Sequence, residues 1–186
     1  MDAVLAERPA GRRVLAAVDG IDRVIGAVCR AIILVTATVL LVVLAANVVA
    51  RYVLAQGGLF WVSEVPEQLF PWLIAAGIVL AVQHGAHIAV DILLHALPAP
   101  GRRALIIAIN VLVAAAYLML VVVNLQVAEI AAAERSAILG LPRSLGYYAL
   151  AFGTLLTAVC SLTVALRVAI LGPDAAPQPN PDEAVT

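Results

Sequence analysis

Long apolar runs alternate with short charged segments along this chain. Three of the runs contain at least twenty consecutive uncharged residues each, namely 31–50, 104–128 and 144–166. A helix of about 20 mostly apolar residues crosses a hydrocarbon core of about 30 Å. It also satisfies its backbone polar groups internally where no water is present. The pattern therefore predicts three membrane-spanning helices, at 28–50, 104–127 and 145–167.

A fourth run predicts a shorter span at 61–83. Its unbroken apolar part, 69–82, holds only fourteen residues, and it reaches spanning length only if the helix begins near Trp61. Ser63 is then well placed to cap the start of this helix. Pro71 lies deeper, where it removes one backbone hydrogen bond, so the second helix is predicted to be bent or tilted.

The segment before the first span has the pattern of an amphipathic helix. Its apolar residues recur at helical spacing, and they are Val14, Val18, Ile21, Ile25 and Val28. Six charged residues occupy the other faces, and they are Arg12, Arg13, Asp19, Asp22, Arg23 and Arg30. This pattern predicts a helix that lies in the membrane interface. The alternative is a soluble amphipathic turn that leads directly into the first span.

The two ends of the chain are predicted to lie outside the folded domain. Residues 1–12 form an N-terminal tail, and 13–171 form one four-helix transmembrane domain. Residues 172–186 carry four prolines and three acidic residues, with almost nothing to bury, so this tail is predicted to be disordered. The N-terminus lacks a short apolar core with a small-residue cleavage site, so a cleaved signal peptide is not expected.

The distribution of arginine predicts the orientation of the helices. All eleven basic residues are arginine, and eight of them lie before the first span, between the second and third, or after the fourth. Because positively charged connections stay in the cytoplasm, both termini are predicted to be cytoplasmic. The predicted fold class is an all-α membrane protein with four transmembrane helices and an N-terminal interfacial amphipathic helix.

Composition agrees with a membrane protein. Hydrophobic residues make up 64% of the chain and charged residues only 12%, whereas a soluble domain has about 25% charged residues. The net charge of -1 provides no basic field for nucleic acid. Cys29 and Cys160 lie in apolar stretches without the spacing of a metal or redox motif, so we expect them to face lipid or other helices.

Candidate chemistry within the spans is limited to uncharged polar residues. Two sets each lie on one helical face, and they are Asn110, Tyr117 and Asn124, and Thr154, Thr157 and Ser161. A polar route for a solute is one interpretation. Interhelical hydrogen bonding is the preferred one, because a route for a charged solute or a proton usually needs ionisable groups at membrane depth. The sequence shows no nucleophile with its base and no phosphate-binding glycine loop, so an enzyme is not expected.

Two further groups of residues surround the end of the second span. Gly77, Ala81 and Gly85 repeat every four positions, a spacing that lets another helix approach closely. His84, His87, Asp91 and His95 form the second group. A metal or heme site is one interpretation of the histidines, but all three lie within twelve residues at one edge of the membrane. They are predicted to contact the connecting segment or a partner subunit, without a metal or cofactor.

Several motifs follow one another in an ordered series. They are Asn47 with Arg51 and Tyr52; Trp61 with Glu64, Leu69, Trp72 and Gly77; His87-Ile88-x-Val90-Asp91 before Leu97-Pro98; and Ser136 to Pro142 before Tyr147 and Tyr148. With the four-helix topology, this series resembles the small permease subunit, or Q subunit, of tripartite ATP-independent periplasmic (TRAP) transporters, over roughly residues 14–171. The family usually has an acidic residue beside Glu64, whereas this chain has Ser63 there and supplies Glu67 instead.

The resemblance implies a role in a bacterial inner membrane. In this family a periplasmic binding protein delivers a small organic acid to a large multispan permease driven by a sodium gradient, and the small subunit scaffolds that permease. The resemblance implies structural or partner-interface roles, and no catalytic, cofactor or metal role, for Asn47, Arg51, Trp61, Glu64, Glu67, Trp72, Gly77, Ala81, His87 and Asp91. Arg51 is expected to pair with an outer carboxylate.

Three alternative functions remain at this point. The nearest is the small subunit of a tripartite tricarboxylate transporter, which has a similar architecture. A membrane heme or redox protein would use the histidines. A stand-alone homodimeric transporter would require an ionisable residue in the middle of the membrane.

Overall fold

The computed structural model describes residues 9–53, 58–84 and 97–177, which are mostly helical. Four long helices follow one another: α1 is Pro9–Val53, α2 is Val65–Gln83, α3 is Ala99–Ala131 and α4 is Ser144–Leu171. Short 3-10 helices, Phe60–Glu64 and Pro173–Ala175, precede α2 and follow α4. All four stretches are long and apolar enough to cross a membrane. The predicted all-α fold with four transmembrane helices is therefore confirmed.

The first helix is longer than a membrane span. α1 is one unbroken helix of 45 residues, and at 1.5 Å per residue it is about 67 Å long. The segment predicted as a separate interfacial helix continues into the first span without a break. Its apolar stripe is also divided, since Val18 and Ile25 are buried inside the chain while Val14, Ile21 and Val28 stay exposed. The depth of this segment relative to the membrane surface stays a prediction.

The second helix begins differently from the prediction. The chain already forms a 3-10 helix over Phe60–Glu64, and Glu64 rather than Ser63 immediately precedes α2. The Ser63 hydroxyl donates a hydrogen bond of 2.7 Å to the Phe60 carbonyl. Capping of α2 by Ser63 was therefore a wrong prediction, because this hydroxyl is used within the 3-10 turn. Pro71 lies inside α2, and the predicted bend there stays a prediction.

The fourth helix lies at the centre of the bundle and contacts each of the other three. Of its most apolar stretch, 50% is buried inside the chain, against 11% for α1 and α3. Its buried positions are mostly Ala, Gly, Ser and Thr, and α3 contributes Ala114, Ala128 and Ala131. Small residues let helix backbones approach closely, which is the main source of packing energy between helices in a membrane.

Two glycines of α4 are covered by residues of α2. A Cβ atom added at Gly153 would lie 2.5 Å from the Ala75 Cβ, and one added at Gly146 would lie 3.3 Å from the Pro71 Cγ. The two helices therefore touch with almost no side-chain volume between them. A core cluster joins α1 to this pair, and its buried members are Ile25, Cys29, Ala76, Val79, Val82 and Cys160.

Polar residues inside the spans bond mainly to their own helices. Asn110 donates through Nδ2 to the Ile106 carbonyl at 2.9 Å. Thr154 and Thr157 likewise donate to carbonyls four residues earlier, at 2.8 and 2.9 Å. The preferred prediction of interhelical hydrogen bonds is therefore wrong for these three side chains, because a carbonyl of the preceding turn is within reach of a short polar side chain.

The chain keeps a defined structure beyond the last span. Gly172 ends α4 with a φ of 98°, and the 3-10 turn Pro173–Ala175 follows. Asp174 in this turn forms an ion pair with Arg102 of α3. Local structure thus continues to Pro177, and the disorder predicted for the tail 172–186 stays a prediction. Residues 178–186 lie outside the described part of the chain.

Candidate functional site

We call the end of the bundle where α1 begins and α4 ends the termini end. Most of the predicted interface residues that the structure describes lie at the opposite end. The opposite end contains the last turn of α1, the 3-10 helix before α2, and the connection 132–143 between α3 and α4. At this opposite end several side-chain contacts hold a connection against a helix.

Asn47 fixes the chain where it returns towards the membrane before α2. Its side-chain oxygen accepts a hydrogen bond of 2.8 Å from the Leu59 backbone N–H. Gly58 has a φ of 113°, and a Cβ atom there would lie 3.1 Å from the same oxygen. Glycine is thus required both for the backbone conformation and for the close approach of Asn47. The predicted structural importance of Asn47 has a physical basis in this contact.

Glu64 joins the start of the second span to the connection between α3 and α4. Its two carboxylate oxygens accept hydrogen bonds from the backbone N–H groups of Ile138, at 2.9 Å, and Leu139, at 2.8 Å. The connection is itself a tight turn, because Gly140 has a φ of 66° and Ser136 accepts a hydrogen bond from the Leu141 N–H through its hydroxyl at 3.1 Å. We call this contact between Glu64 and the 138–139 backbone the Glu64 latch.

Replacing Glu64 with alanine is expected to speed amide hydrogen exchange at Ile138 and Leu139, because both N–H groups lose their charged acceptor. Exchange measured by mass spectrometry on peptides covering 136–141 would report this directly. Glu67→Ala is the matched control, since Glu67 makes no hydrogen bond to this backbone. Unchanged exchange in Glu64→Ala would show that the latch does not form in solution.

Glu67 contributes a weaker contact at the same end. Arg143 lies between two carboxylates, 3.7 Å from Glu67 and 3.8 Å from Glu134, and all three side chains are about half or more exposed. Exposed ion pairs of this kind add at most about 1 kcal/mol to the free energy of unfolding. Arg51, by contrast, forms no ion pair among the described residues. The expected pairing of Arg51 with a carboxylate is therefore not observed in that part of the chain.

The two tryptophans differ in their surroundings. Trp72 packs against Phe152 of α4, with ring centroids 6.0 Å apart and planes tilted by 45°, a favourable arrangement for an aromatic pair. Trp61 and its neighbour Phe60 are exposed on the chain's own surface. Trp72 thus supports the internal packing of the bundle, whereas Trp61 is available to lipid headgroups or another protein.

The predicted small-residue stripe has no partner within the chain. A Cβ atom at Gly77 would meet nothing within 4 Å, and Ala81 is exposed. The close helix contact of α2 lies instead on the face that carries Pro71 and Ala75. Sequence reasoning missed this face, although Gly146 and Gly153, seven residues apart on α4, were a signal for it.

Most of the predicted histidine and aspartate group cannot be placed. Gly85, His87, Asp91 and His95 lie outside the described residues. His84 is described, and its Nδ1 lies 2.7 Å from the Leu80 carbonyl of its own helix. Within 9–53, 58–84 and 97–177, no group of three His, Cys, Asp or Glu side chains is positioned to hold a metal ion.

A polar network at the termini end was not predicted. The Nη2 atom of Arg167 on α4 donates to Asp19 at 2.9 Å and to Asp22 at 2.7 Å, both on α1. Thr163 donates to the other Asp22 oxygen at 2.8 Å. Gln83 of α2 donates to the Asp22 backbone carbonyl at 2.9 Å. Asp22 therefore connects three helices at the point where the apolar spans end.

These contacts are structural in kind. In the described chain, the carboxylates of Glu64, Asp19 and Asp22 are occupied by backbone N–H groups, a hydroxyl or an arginine. The fold and contacts define a polytopic α-helical membrane protein whose polar side chains hold its own connections and helix ends.

Sequence comparison identifies the family. Residues 39–170 match the DctQ component of tripartite ATP-independent periplasmic transporters. The chain belongs to this family, the small permease component of TRAP transporters. The resemblance inferred from the sequence motifs is thereby confirmed.

Two curated relatives are similar to parts of the chain. The uncharacterized protein y4mM of Sinorhizobium fredii is 45% identical over 145 residues, which are 78% of this chain and 27% of that protein. The ectoine TRAP transporter small permease protein TeaB of Halomonas elongata is 43% identical over 65 residues, which are 35% of this chain and 33% of TeaB. The matched region thus spans about a third or less of the length of each relative.

Proposed function

We propose that this chain scaffolds the large permease subunit of a TRAP transporter in a bacterial inner membrane, with both termini in the cytoplasm. The complex would take up a small organic acid that a periplasmic binding protein delivers, driven by a sodium gradient. Membership of the small permease family supports the assignment to such a complex.

The absence of charge within the spans carries this proposal. The sequence contains no Asp, Glu, His, Lys or Arg in 31–50, 68–83, 104–128 or 144–166. Ion and charged-solute pathways inside a membrane are usually marked by ionisable groups at that depth. Three of the polar side chains in these stretches are used by their own helix carbonyls. The solute and sodium sites are therefore assigned to the partner chain.

Helix surfaces that are little buried inside this chain support a partner protein within the membrane. α1 and α3 each bury only 11% of their most apolar stretch inside the chain. On α2, Gly77 is open and Ala81 is exposed. A neighbouring transmembrane helix could approach this surface closely because it lacks long side chains. We assign the Gly77–Ala81 surface to contact with the large permease subunit.

Replacing both Gly77 and Ala81 with leucine is expected to reduce the recovery of the large permease subunit about tenfold, equivalent to about 1.4 kcal/mol of binding free energy. The tagged chain would be co-expressed with its neighbouring transporter genes and purified in a mild detergent. Thermal unfolding of the isolated variant should be unchanged or slightly raised, since a Cβ atom at Gly77 would meet nothing within 4 Å and Ala81 is exposed.

The matched control is Ala115→Leu, an equally small-to-large change at an exposed position of α3. Loss of the partner in the control but not in the Gly77 and Ala81 variant would place the interface on α3 and contradict this assignment. The scaffold proposal as a whole fails if the wild-type chain recovers no larger multispan protein, or if the chain alone transports a carboxylate into vesicles.

A further inference from the structure

A cavity of about 270 Å³ opens at the termini end of the bundle. Three helices contribute to its wall, and the lining includes Arg23, Gly26, Arg30, Gln83, Thr163 and Arg167. Gly26 creates part of this space, because a Cβ atom there would lie 3.0 Å from the Gln83 Oε1 and 3.8 Å from the Arg30 Nη2. Uncharged polar side chains and arginine side chains therefore line the same cavity.

The acidic groups of the cavity are already occupied. Asp19 and Asp22 both accept from the Nη2 atom of Arg167, and Asp22 also accepts from the Thr163 hydroxyl. Each carboxylate therefore has a hydrogen-bond donor within the protein, and the single charge of Arg167 offsets one of the two negative charges. Neither carboxylate forms an ion pair with Arg23 or Arg30 among the described residues.

Arg23 and Arg30 have no ion-pair partner in the described part of the chain, and their two charges exceed by one the negative charge that Arg167 leaves in the cavity. Both are exposed, and neither forms an ion pair or hydrogen bond among the described residues. The two side chains lie two turns apart on α1 and border the same cavity. The lining carries three arginines against two aspartates, which favours an anion. A phosphate is well suited, because the guanidinium group can donate two parallel hydrogen bonds to it.

The position of the cavity identifies the source of that anion. Arg30 directly precedes the uncharged run 31–50, and Arg167 directly follows the uncharged run 144–166. Both residues therefore mark the edge of the hydrocarbon core, where lipid phosphates lie. Basic pockets between transmembrane helices at this level bind anionic lipid headgroups. We propose that the phosphate of an anionic membrane lipid binds in this cavity between Arg23 and Arg30, a role independent of the proposed scaffold function.

The expected result is selective retention of an anionic lipid by the purified full-length chain. Native mass spectrometry would be recorded after incubation in detergent with equal amounts of phosphatidylglycerol and phosphatidylcholine. The wild-type chain should retain phosphatidylglycerol preferentially. The double variant Arg23→Gln, Arg30→Gln should retain it about thirtyfold less, since each arginine near the membrane surface contributes about a factor of five. Neither arginine makes a hydrogen bond or ion pair with another described residue, so the thermal unfolding of this variant should match that of the wild type.

The matched control is the double variant Arg12→Gln, Arg13→Gln, which removes the same charge from exposed positions of the same helix outside the cavity lining. Retention in this control should equal that of the wild type. Equal losses of phosphatidylglycerol in both double variants would show only a general attraction between arginine and anionic lipid, and would overturn the site. Full retention of the lipid by the Arg23 and Arg30 variant would overturn it as well. Displacement of the lipid by inorganic phosphate at equal concentration would assign the cavity to a soluble anion and overturn the lipid proposal.

Discussion

Replacing Gly153 with leucine is expected to destabilise the bundle by about 3 kcal/mol, because it overfills a contact between α4 and α2 that has no room for a side chain. Even the first added carbon would lie 2.5 Å from the Ala75 Cβ and 3.1 Å from the Ala75 Cα. The second of these atoms belongs to the backbone of α2, which cannot move away without separating the two helices. Thermal unfolding of the purified chain in detergent would measure the loss.

Gly77→Leu is the matched control for this substitution. It makes the same change on the helix that faces Gly153, at a site where an added Cβ meets nothing within 4 Å. The isolated Gly77 variant should unfold at the temperature of the wild type or slightly above it, because leucine favours the helix more than glycine does. Equal unfolding temperatures for the two variants would contradict the close contact between α2 and α4.

The second large effect is expected at the ion pair between Asp22 and Arg167. Replacing Arg167 with alanine should cost about 2 kcal/mol and leave Asp19 and Asp22 without their shared partner. The value lies between about 1 kcal/mol for exposed pairs and about 3 to 5 kcal/mol for fully buried ones, since the two side chains are 27% and 23% exposed. A double-mutant cycle of Asp22→Ala and Arg167→Ala, followed by unfolding, would isolate the coupling energy.

The pair between Arg102 and Asp174 provides a control cycle at the same end of the bundle. Asp174 is 86% exposed, so its coupling with Arg102 should be at most about 0.5 kcal/mol. A coupling at Asp22 and Arg167 no larger than this would show that their contact does not stabilise the arrangement of α1 on α4.

The helices could be predicted because the signal for them is local. A run such as 31–50 or 104–128 contains everything needed to predict a span, since its length and lack of charge are set by the bilayer alone. The start of α2 was harder to predict because a residue such as Ser63 can either cap a helix or bond within a 3-10 turn. Ser63 suits a helix cap by composition, but the preceding 3-10 turn already uses its hydroxyl, a competition that depends on the backbone conformation of Phe60.

Contacts between distant residues could not be read from one sequence. Asp22 and Arg167 are 145 positions apart, and several other acids and arginines border the same helix ends. Choosing between them requires the relative rotation of α1 and α4. The same limit applies to Glu64, because its carboxylate accepts hydrogen bonds from the backbone N–H groups of Ile138 and Leu139. Every residue except proline has such a group, so side-chain composition does not reveal this contact.

Polar side chains in the spans illustrate a third limit. Thr154 and Thr157 form a stripe whether they bond to a neighbouring helix or to their own, because the spacing on the helix is identical in the two cases. Only the position of the neighbouring backbone distinguishes them. The family assignment did not need this information, since it depends on an ordered series of local motifs.

The unbroken length of α1 has a mechanical consequence. Asp22 and Asn47 attach this helix to the rest of the chain at two points, and their separation along it is about 37 Å at 1.5 Å per residue. That distance falls between the hydrocarbon thickness of about 30 Å and the full bilayer thickness of about 40 to 45 Å. α1 is thus held against the rest of the chain at two distant points, and it cannot slide along or tilt against the other helices without breaking one of these two contacts.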